Sequence, residues 1–382
     1  MRCRHSSPIL LCSLALALLF SNPATATEVR ILIHESVSQV IVSCDASFQV
    51  SCSNPSEWSH EYSPHTMVFI LPQRGGWLIG EEEVVGHDLN IEADASSFIR
   101  VNDRPYRGRL RIYREKAHRL SVVNALDLED YLRGVIREEI SPQWPQETLK
   151  AQAVVARTFA LRQVIDNGGQ RFHLKSTTDS QVYGGRQRED DRCDCAVQDT
   201  AGIVLTYKGK PLPAFYHAAC GGHTEDVADV WSYSHPSLQG VPCSYCLYHP
   251  VYNWEATIKR EDVRRALLRG GCQLGEVEAI LPLVRSETGR ILQLEIRHAG
   301  GRIMMEGKKF RQYLGYDLIR STNFSVKRNN GGFAFSGKGW GHGVGFCQWG
   351  AKGMAERAFS YEEILYHYYP GARLARIEEI DY

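Results

Sequence analysis

The densest group of residues that could bind a metal lies between positions 193 and 246. Its cysteines and histidines fall in three short motifs: Cys193-x-Cys195, His217-x-x-Cys220-x-x-His223 and Cys243-x-x-Cys246. A Cys-x-x-Cys pair with a distant cysteine and histidine has the spacing of a structural zinc site. The predicted ligands are His217, Cys220, Cys243 and Cys246, with Cys195 or His223 as alternates. Such a closed site would tie turn-rich loops together and take no part in catalysis.

Disulfide bonds are the other interpretation of the same thiols. Eleven cysteines are present, and nine of them lie beyond residue 27. An odd number cannot all pair within one chain. Cys193 and Cys195 are too close in sequence to bridge easily to each other, which favours zinc, whereas an oxidising compartment would favour disulfides.

The adjacent acids Glu138 and Glu139 close a predicted helix, just before Ser141-Pro142. On a helix the two side chains diverge by about 100°, so they cannot share one role. A carboxylic acid at this place could serve as a general acid and base. Taken alone, such a pair is more often a pair of ordinary surface acids.

Two cations follow on the next predicted helix. Lys150 and Arg157 are seven residues apart and therefore share a helix face, which suggests that they line a cleft. There they could hold a substrate or set the protonation state of Glu139. A structural salt bridge with Glu129 or Glu147 is the alternative.

Two helices are predicted to position these groups. The first runs from Asp127, which can cap it, to near Ile140. The second runs from Pro145 to about Val164 and is apolar nearly all round, which predicts that it is buried. Later strands are predicted at 182–185, 203–207, 291–297 and 333–335, and later helices at 348–358 and 361–368.

The region before the helices has the pattern of a β-rich domain. Strands are predicted at 29–33, 37–42, 98–105 and 109–114, the last from its period-two alternation. The predicted fold class is mixed α+β. A catalytic core with two central helices and β-strands would span 115–382, and a β-rich N-terminal accessory domain would span 28–114.

Residues 1–27 have the pattern of a signal peptide. Arg2 and Arg4 precede an apolar run from Ile9 to Phe20, and Ala24-Thr25-Ala26 offers a cleavage site. The run is short for a bilayer span, so cleavage is favoured over a retained anchor, and no second membrane segment is predicted. The mature protein is expected to work outside the cytoplasm.

The composition argues against a nucleic-acid-binding protein. Forty-four Lys and Arg residues equal the 44 Asp and Glu residues, so no net field attracts a polyanion. With 43% hydrophobic residues the chain is expected to be globular, and its 382 residues suit two domains.

Several motifs in sequence order resemble the sporulation stage II protein D family, which includes the amidase enhancers. They are residues 127–136 (DLEDYLRGVI), Glu139, Trp144-Pro145, 149–158 (LKAQAVVART), 180–185 (SQVYGG), 204–207 (VLTY), 221–225 (GGHTE), 339–351 with its Gly-His-Gly-Val-Gly core, and the ending around 361–371. The resemblance covers about residues 100–374.

The resemblance implies lytic transglycosylase activity on glycan strands from which an amidase has removed the stem peptides. One carboxylic acid protonates the glycosidic oxygen and then takes the proton of the sugar hydroxyl that attacks intramolecularly. Glu139 stands where the catalytic glutamate of the family falls. The implied substrate-binding residues are Lys150, Arg157, Gln181, Tyr183, His342 and Gln348. No cofactor is expected for catalysis.

The resemblance does not carry over a metal site. Some members of the family bind zinc through a cysteine and a His-Cys pair just before the Gln-Val-Tyr motif. Residues 176–181 contain no thiol, so a zinc site among residues 193–246 would be a different one.

We therefore predict an exported enzyme, periplasmic or at the cell envelope, that remodels peptidoglycan, including at the division septum, alongside an N-acetylmuramoyl-L-alanine amidase. The rival hypothesis is a non-catalytic glycan-binding protein that stimulates a partner amidase. A zinc-dependent amidase is disfavoured because the sequence offers no open His/Glu metal site.

Overall fold

The computed structural model describes residues 27–52, 57–116, 118–248, 250 and 252–380. The predicted signal segment lies outside these residues except for Thr27. The fold is mixed α+β, as predicted, with antiparallel sheets first and a mixed core after them. Within the described part of the chain, no helix is long and apolar enough to cross a membrane.

Two sheets form the N-terminal part. Their strands are β1 (Glu28–Val37), β2 (Val40–Cys44), β3 (Phe48–Cys52), β4 (Trp58–Tyr62), β5 (Val68–Gln73), β6 (Gly76–Ile79), β7 (Glu82–Val85), β8 (Asp88–Ala93), β9 (Ile99–Val101), β10 (Arg104–Tyr106), β11 (Arg109–Glu115) and β12 (Arg119–Asp127). One sheet has the order β1-β12-β11-β8-β3-β4 and the other β10-β9-β2-β5-β6-β7. A later strand, β13 (Leu174–Lys175), pairs in parallel with β1 and is the seventh strand of the first sheet. The strands predicted at 29–33 and 109–114 are confirmed. The strand predicted at 98–105 is instead a hairpin, in which β9 and β10 pair across a turn at Asn102-Asp103, where both residues have positive φ. The strand predicted at 37–42 is interrupted at residues 38 and 39, where β1 gives way to β2.

Three helices follow directly: α1 (Leu128–Arg133), α2 (Ile136–Glu139) and α3 (Gln146–Asp166). The carboxylate of Asp127 caps α1 by accepting the Glu129 N–H at 2.8 Å. The single helix predicted from Asp127 to Ile140 is wrong, because the chain breaks it at Gly134. A Cβ there would lie 2.5 Å from the ring of Tyr183, so glycine lets that ring pack against the break.

The remaining helices and strands alternate to the end of the described chain. They are β13 (Leu174–Lys175), α4 (Asp191–Asp199), β14 (Ile203–Tyr207), β15 (Lys210–Pro211), β16 (Tyr216–His217), α5 (Val227–Val230), β17 (Asn253–Lys259), α6 (Arg260–Arg269), β18 (Val277–Arg285), β19 (Ile291–His298), β20 (Gly301–Glu306), α7 (Gly307–Leu314), β21 (Phe324–Arg328), β22 (Gly332–Lys338), β23 (Phe346–Cys347), α8 (Gln348–Ala355), α9 (Tyr361–Tyr368) and β24 (Arg373–Arg376). The strand predicted at 182–185 is wrong: residues 181–184 are irregular and a 3-10 helix follows at Gly185–Arg188.

The hydrophobic residues form three main clusters, and α3 contributes to two of them. Leu149 and Ala160 join the core of the two N-terminal sheets, whereas Val154 and Val155 pack with α8 and α9 in a second core. This double packing explains why α3 is apolar nearly all round. The third cluster lies within residues 254–335 and is built by β17–β22 with α6 and α7.

Candidate active site and four-cysteine cluster

Glu139 is the last residue of α2, and its carboxyl group is enclosed by three other segments. Its Oε1 atom accepts the backbone N–H of Val182 at 3.2 Å. The hydroxyl of Tyr216 and the carboxamide of Gln348 also lie against the carboxyl group. The residue as a whole keeps part of its surface exposed.

Burial raises the pKa of Glu139 to about 7. The Tyr216 hydroxyl, the Val182 N–H and the Gln348 side chain oppose this rise, because each favours the charged carboxylate. A carboxyl group with a pKa near neutrality can both donate and accept a proton at physiological pH. The charge of the neighbouring Glu138, whose carboxylate pairs with Arg188 at 3.0 Å, adds a smaller rise to the pKa of Glu139.

A parallel strand pair brings Tyr216 and Gln348 to this carboxyl group. β16 pairs with β23, so Tyr216 lies opposite Phe346 and His217 opposite Cys347. Gln348 then begins α8, and its Nε2 donates to Oε1 of the buried Gln152 at 3.3 Å. Sequence reasoning missed Tyr216 and Gln152, because only the pairing of two distant segments places them here.

The predicted substrate residues Gln181 and Tyr183 are buried beside the site. Gln181 accepts the hydroxyl of Tyr131 at 3.1 Å, and Tyr183 donates to Asn124 at 2.9 Å. With their side chains inside the core, the two residues brace the loop that carries the Val182 N–H. Of the predicted substrate set, Gln348 is the residue that the structure brings to Glu139.

Lys150 and Arg157 are held in ion pairs, which matches the alternative interpretation of these two cations. Arg157 is completely buried and forms a two-pronged pair with Glu129 at 2.7 and 2.8 Å. Lys150 lies 3.5 Å from Glu147 and 3.1 Å from Asp199. In this structure Arg157 has no surface with which to contact a substrate.

Both ring nitrogens of His342 form hydrogen bonds with backbone groups. Its Nδ1 accepts the Val344 N–H at 3.0 Å, so its Nε2 carries the proton and donates to the Tyr216 carbonyl at 2.9 Å. Burial, with Arg311 and Arg290 nearby, lowers the pKa of His342 to about 3. The residue is therefore neutral, and it fixes the strand that presents Tyr216.

Four buried cysteines converge on the other side of this strand pair. The Sγ atoms of Cys220, Cys243, Cys246 and Cys347 all lie within 4.8 Å of one another. Three of them were predicted as zinc ligands, but the fourth place belongs to Cys347. His217 instead donates from Nδ1 to the Val344 carbonyl at 3.1 Å. Cys347 was missed because it follows the glycine-rich loop, far in sequence from the other three.

The donor set of this four-cysteine cluster fits a metal ion. Soft thiolates in a closed set of four are the ligands of structural zinc. The N–H groups of Cys220 and Gly350 donate to the Cys347 sulfur at 3.3 Å, and the same contacts would stabilise a thiolate bound to a metal. The cluster could therefore hold a structural metal such as zinc. The alternates lie elsewhere: Cys195 is exposed on α4, and His223 faces the Thr224 carbonyl.

Comparison with known proteins gives two family matches and several relatives. Residues 116–207 match the Stage II sporulation protein (SpoIID) family, and residues 247–345 match a domain of unknown function, DUF8618. An uncharacterized protein of Brachyspira hyodysenteriae is 36% identical, with 68% of each chain covered. The stage II sporulation protein D of Bacillus amyloliquefaciens is 31% identical over 70% of this chain and 78% of its own. The amidase enhancer of Bacillus subtilis is 29% identical over 64% of this chain and 40% of its own.

Proposed function

The chain belongs to the SpoIID family of cell-wall proteins, and from this premise we propose that it is a peptidoglycan lytic transglycosylase. It would cleave the bond between MurNAc and GlcNAc in peptide-free glycan strands and leave anhydro-muramic ends. The observation that carries the proposal is the carboxyl group of Glu139, enclosed by hydrogen-bonding groups in a residue that is still partly exposed, with its pKa raised to about 7.

A single carboxyl group is enough for this reaction. Protonated Glu139 gives its proton to the glycosidic oxygen, and the bond from that oxygen to the muramoyl C1 breaks. The resulting carboxylate then takes the proton of the muramoyl C6 hydroxyl, and the C6 oxygen bonds to C1. This step closes the anhydro ring and restores the protonated acid. Tyr216, Val182 and Gln348 stabilise the carboxylate between the two proton transfers.

The second candidate is a glycan-binding protein that stimulates an amidase, and a relative bears the name amidase enhancer. In either case we expect the protein at the cell envelope, with an N-acetylmuramoyl-L-alanine amidase supplying its peptide-free substrate. The raised pKa of Glu139 favours the enzyme, because binding alone gives no reason to keep a carboxyl group in so costly a place.

The test is mass spectrometry of peptide-free strands incubated with the parent, with Glu139→Gln and with Glu138→Gln. Glu139→Gln should lower the rate by about 10²–10⁴-fold, the contribution of a general acid. Glu138→Gln is the matched control, since it removes the adjacent acid and should leave the rate within about twofold of the parent. Reducing ends that carry oxygen from labelled water would show a hydrolase instead, and near-parental cleavage by Glu139→Gln would reject the assignment.

We also propose that the four-cysteine cluster holds one structural zinc through Cys220, Cys243, Cys246 and Cys347. When bound, zinc would supply cross-linking of the loops around these residues and no open position for a reacting water. The support is the convergence of four buried thiols with backbone N–H groups directed at them.

A further inference from the structure

A groove of about 650 Å³ lies between α3 and the chain around β15, on the side of Tyr216. Aromatic rings line much of it: Phe159, Tyr207, Phe215, Tyr233 and His235. Tyr233 is 41% exposed, so part of its ring surface is open to a ligand. Flat, partly exposed rings of this kind can pack against the apolar faces of pyranose sugars.

The same groove is positively charged. Arg162, Lys208 and Lys210 line it together with a single acid, Asp166. Asp166 is already engaged with Arg162 at 2.8 Å. Among the described residues, neither Lys208 nor Lys210 has a carboxylate within 4 Å. The Lys208 ammonium lies over the Tyr207 ring, 5.5 Å from its centroid, so within the described chain both ammonium groups lack an anionic partner and an anionic ligand can supply one.

The groove lies next to the surroundings of Glu139. The ring centroid of Phe159, in the groove wall, is 6.4 Å from that of Tyr216. The hydroxyl of Tyr216 lies against the carboxyl group of Glu139. Phe215, the neighbour of Tyr216 on the chain, stacks on Trp231 at 4.3 Å and is thereby fixed in the groove.

We propose that this aromatic–basic groove is a binding subsite for the bare glycan strand, with its rings against the sugars and its lysines on the lactyl carboxylates of muramic acid. The proposal rests on the proposed function and deepens it. In a strand that still bears stem peptides, each lactyl carboxylate is converted into an amide and loses its charge. Lys208 and Lys210 would therefore select strands from which the peptides have been removed.

The experiment measures equilibrium binding to two probes by isothermal titration calorimetry, in the Glu139→Gln background so that neither is cleaved. One probe is the peptide-free tetrasaccharide of alternating GlcNAc and MurNAc. The other is the tetramer of four β-1,4-linked GlcNAc sugars, which has the same N-acetylated sugar backbone without lactyl carboxylates. The parent groove should bind the first more tightly, and the pair Lys208→Gln with Lys210→Gln should remove that preference, about three- to tenfold.

Two further variants separate charge from stacking. Tyr233→Ala should weaken both probes to a similar extent, because ring packing does not depend on the carboxylate. Lys327→Gln, on β21 and outside the groove, is the matched control and should change neither affinity. A thermal melt of each variant confirms that the fold is retained.

The outcomes distinguish this subsite from the proposed function. If the parent cleaves bare strands but the lysine pair leaves the affinity difference unchanged, the groove is not the subsite although the enzyme assignment stands. Equal parental affinity for the two probes would also overturn the subsite. If no variant or parent cleaves strands but the lysine-dependent preference is found, the subsite holds and the protein is a binding protein.

Discussion

The Glu139 site and the four-cysteine cluster share one strand pair but are held together differently. Tyr216 and Gln348 reach the acid, whereas the adjacent Cys347 turns its sulfur to the cluster. Around Glu139, several different hydrogen-bonding groups each shift the pKa of the same carboxyl group. In the cluster, four equal thiols are needed together. We therefore expect single substitutions of the groups around Glu139 to shift its pKa gradually, whereas the loss of any one thiol should disable the cluster outright.

The largest effect should come from breaking the cluster. Cys347→Ser removes one of the four proposed zinc ligands. We expect loss of the bound zinc and a thermal midpoint lowered by about 5 °C, since each kcal/mol shifts the midpoint of a domain of about 150–250 residues by about 2–4 °C. Elemental analysis and calorimetry measure the two effects. The exposed Cys195→Ser is the control. If the purified parent contains no metal and no free thiols, the zinc proposal is wrong and disulfides link these cysteines instead.

A smaller effect should appear in the pH dependence of stability. The pKa of Glu139 is raised from its ordinary 4.5 to about 7, so its stabilising contribution is complete below pH 4.5 and is lost as the pH rises through 7. Glu139→Gln avoids the buried charge and should be more stable than the parent at pH 8, by about 2 kcal/mol in the free energy of unfolding. Urea unfolding at pH 4.5 and pH 8 measures the difference. Parallel curves for the two proteins would contradict the raised pKa.

The smallest effect should come from removing one of the groups that shift the pKa of Glu139. The Tyr216 hydroxyl favours the carboxylate, so Tyr216→Phe should raise the pKa of Glu139 further. The reaction needs the protonated acid, so the alkaline limb of the pH–rate profile should move to higher pH, by less than about one unit. Tyr183→Phe, whose hydroxyl bonds to Asn124 instead, is the control. A shift to lower pH would show that Tyr216 acts otherwise.

The elements with strong local patterns could be predicted from the sequence. The strand 203–207 and the helix 361–368 match β14 and α9, and α3 extends the predicted helix by two residues. The failures lie where tertiary contacts override local pattern. Gly134 breaks a helix to admit Tyr183, and residues 182–185 give backbone N–H groups to Glu139 and Gly134 in place of a strand partner.

The two sites differ in what the sequence could say of them. Glu139 was predicted through a family motif, and its surroundings through Gln348 alone. The cluster was predicted from local spacing, which finds Cys220, Cys243 and Cys246 but says nothing of Cys347. Both gaps have one physical cause, since the β16–β23 pairing brings together segments that no local pattern connects.

The β16–β23 pairing also determines when, during synthesis, the surroundings of Glu139 can be completed. His342 and the carbonyl of Tyr216 meet across 126 positions of the chain, and closing a loop of this length costs conformational entropy. Glu139 is therefore synthesised long before the partners that tune it, and its surroundings are complete only when Gln348 has joined the fold. A chain that is still being synthesised, or that is truncated before residue 348, would contain Glu139 without the side chain of Gln348 that helps to set its pKa.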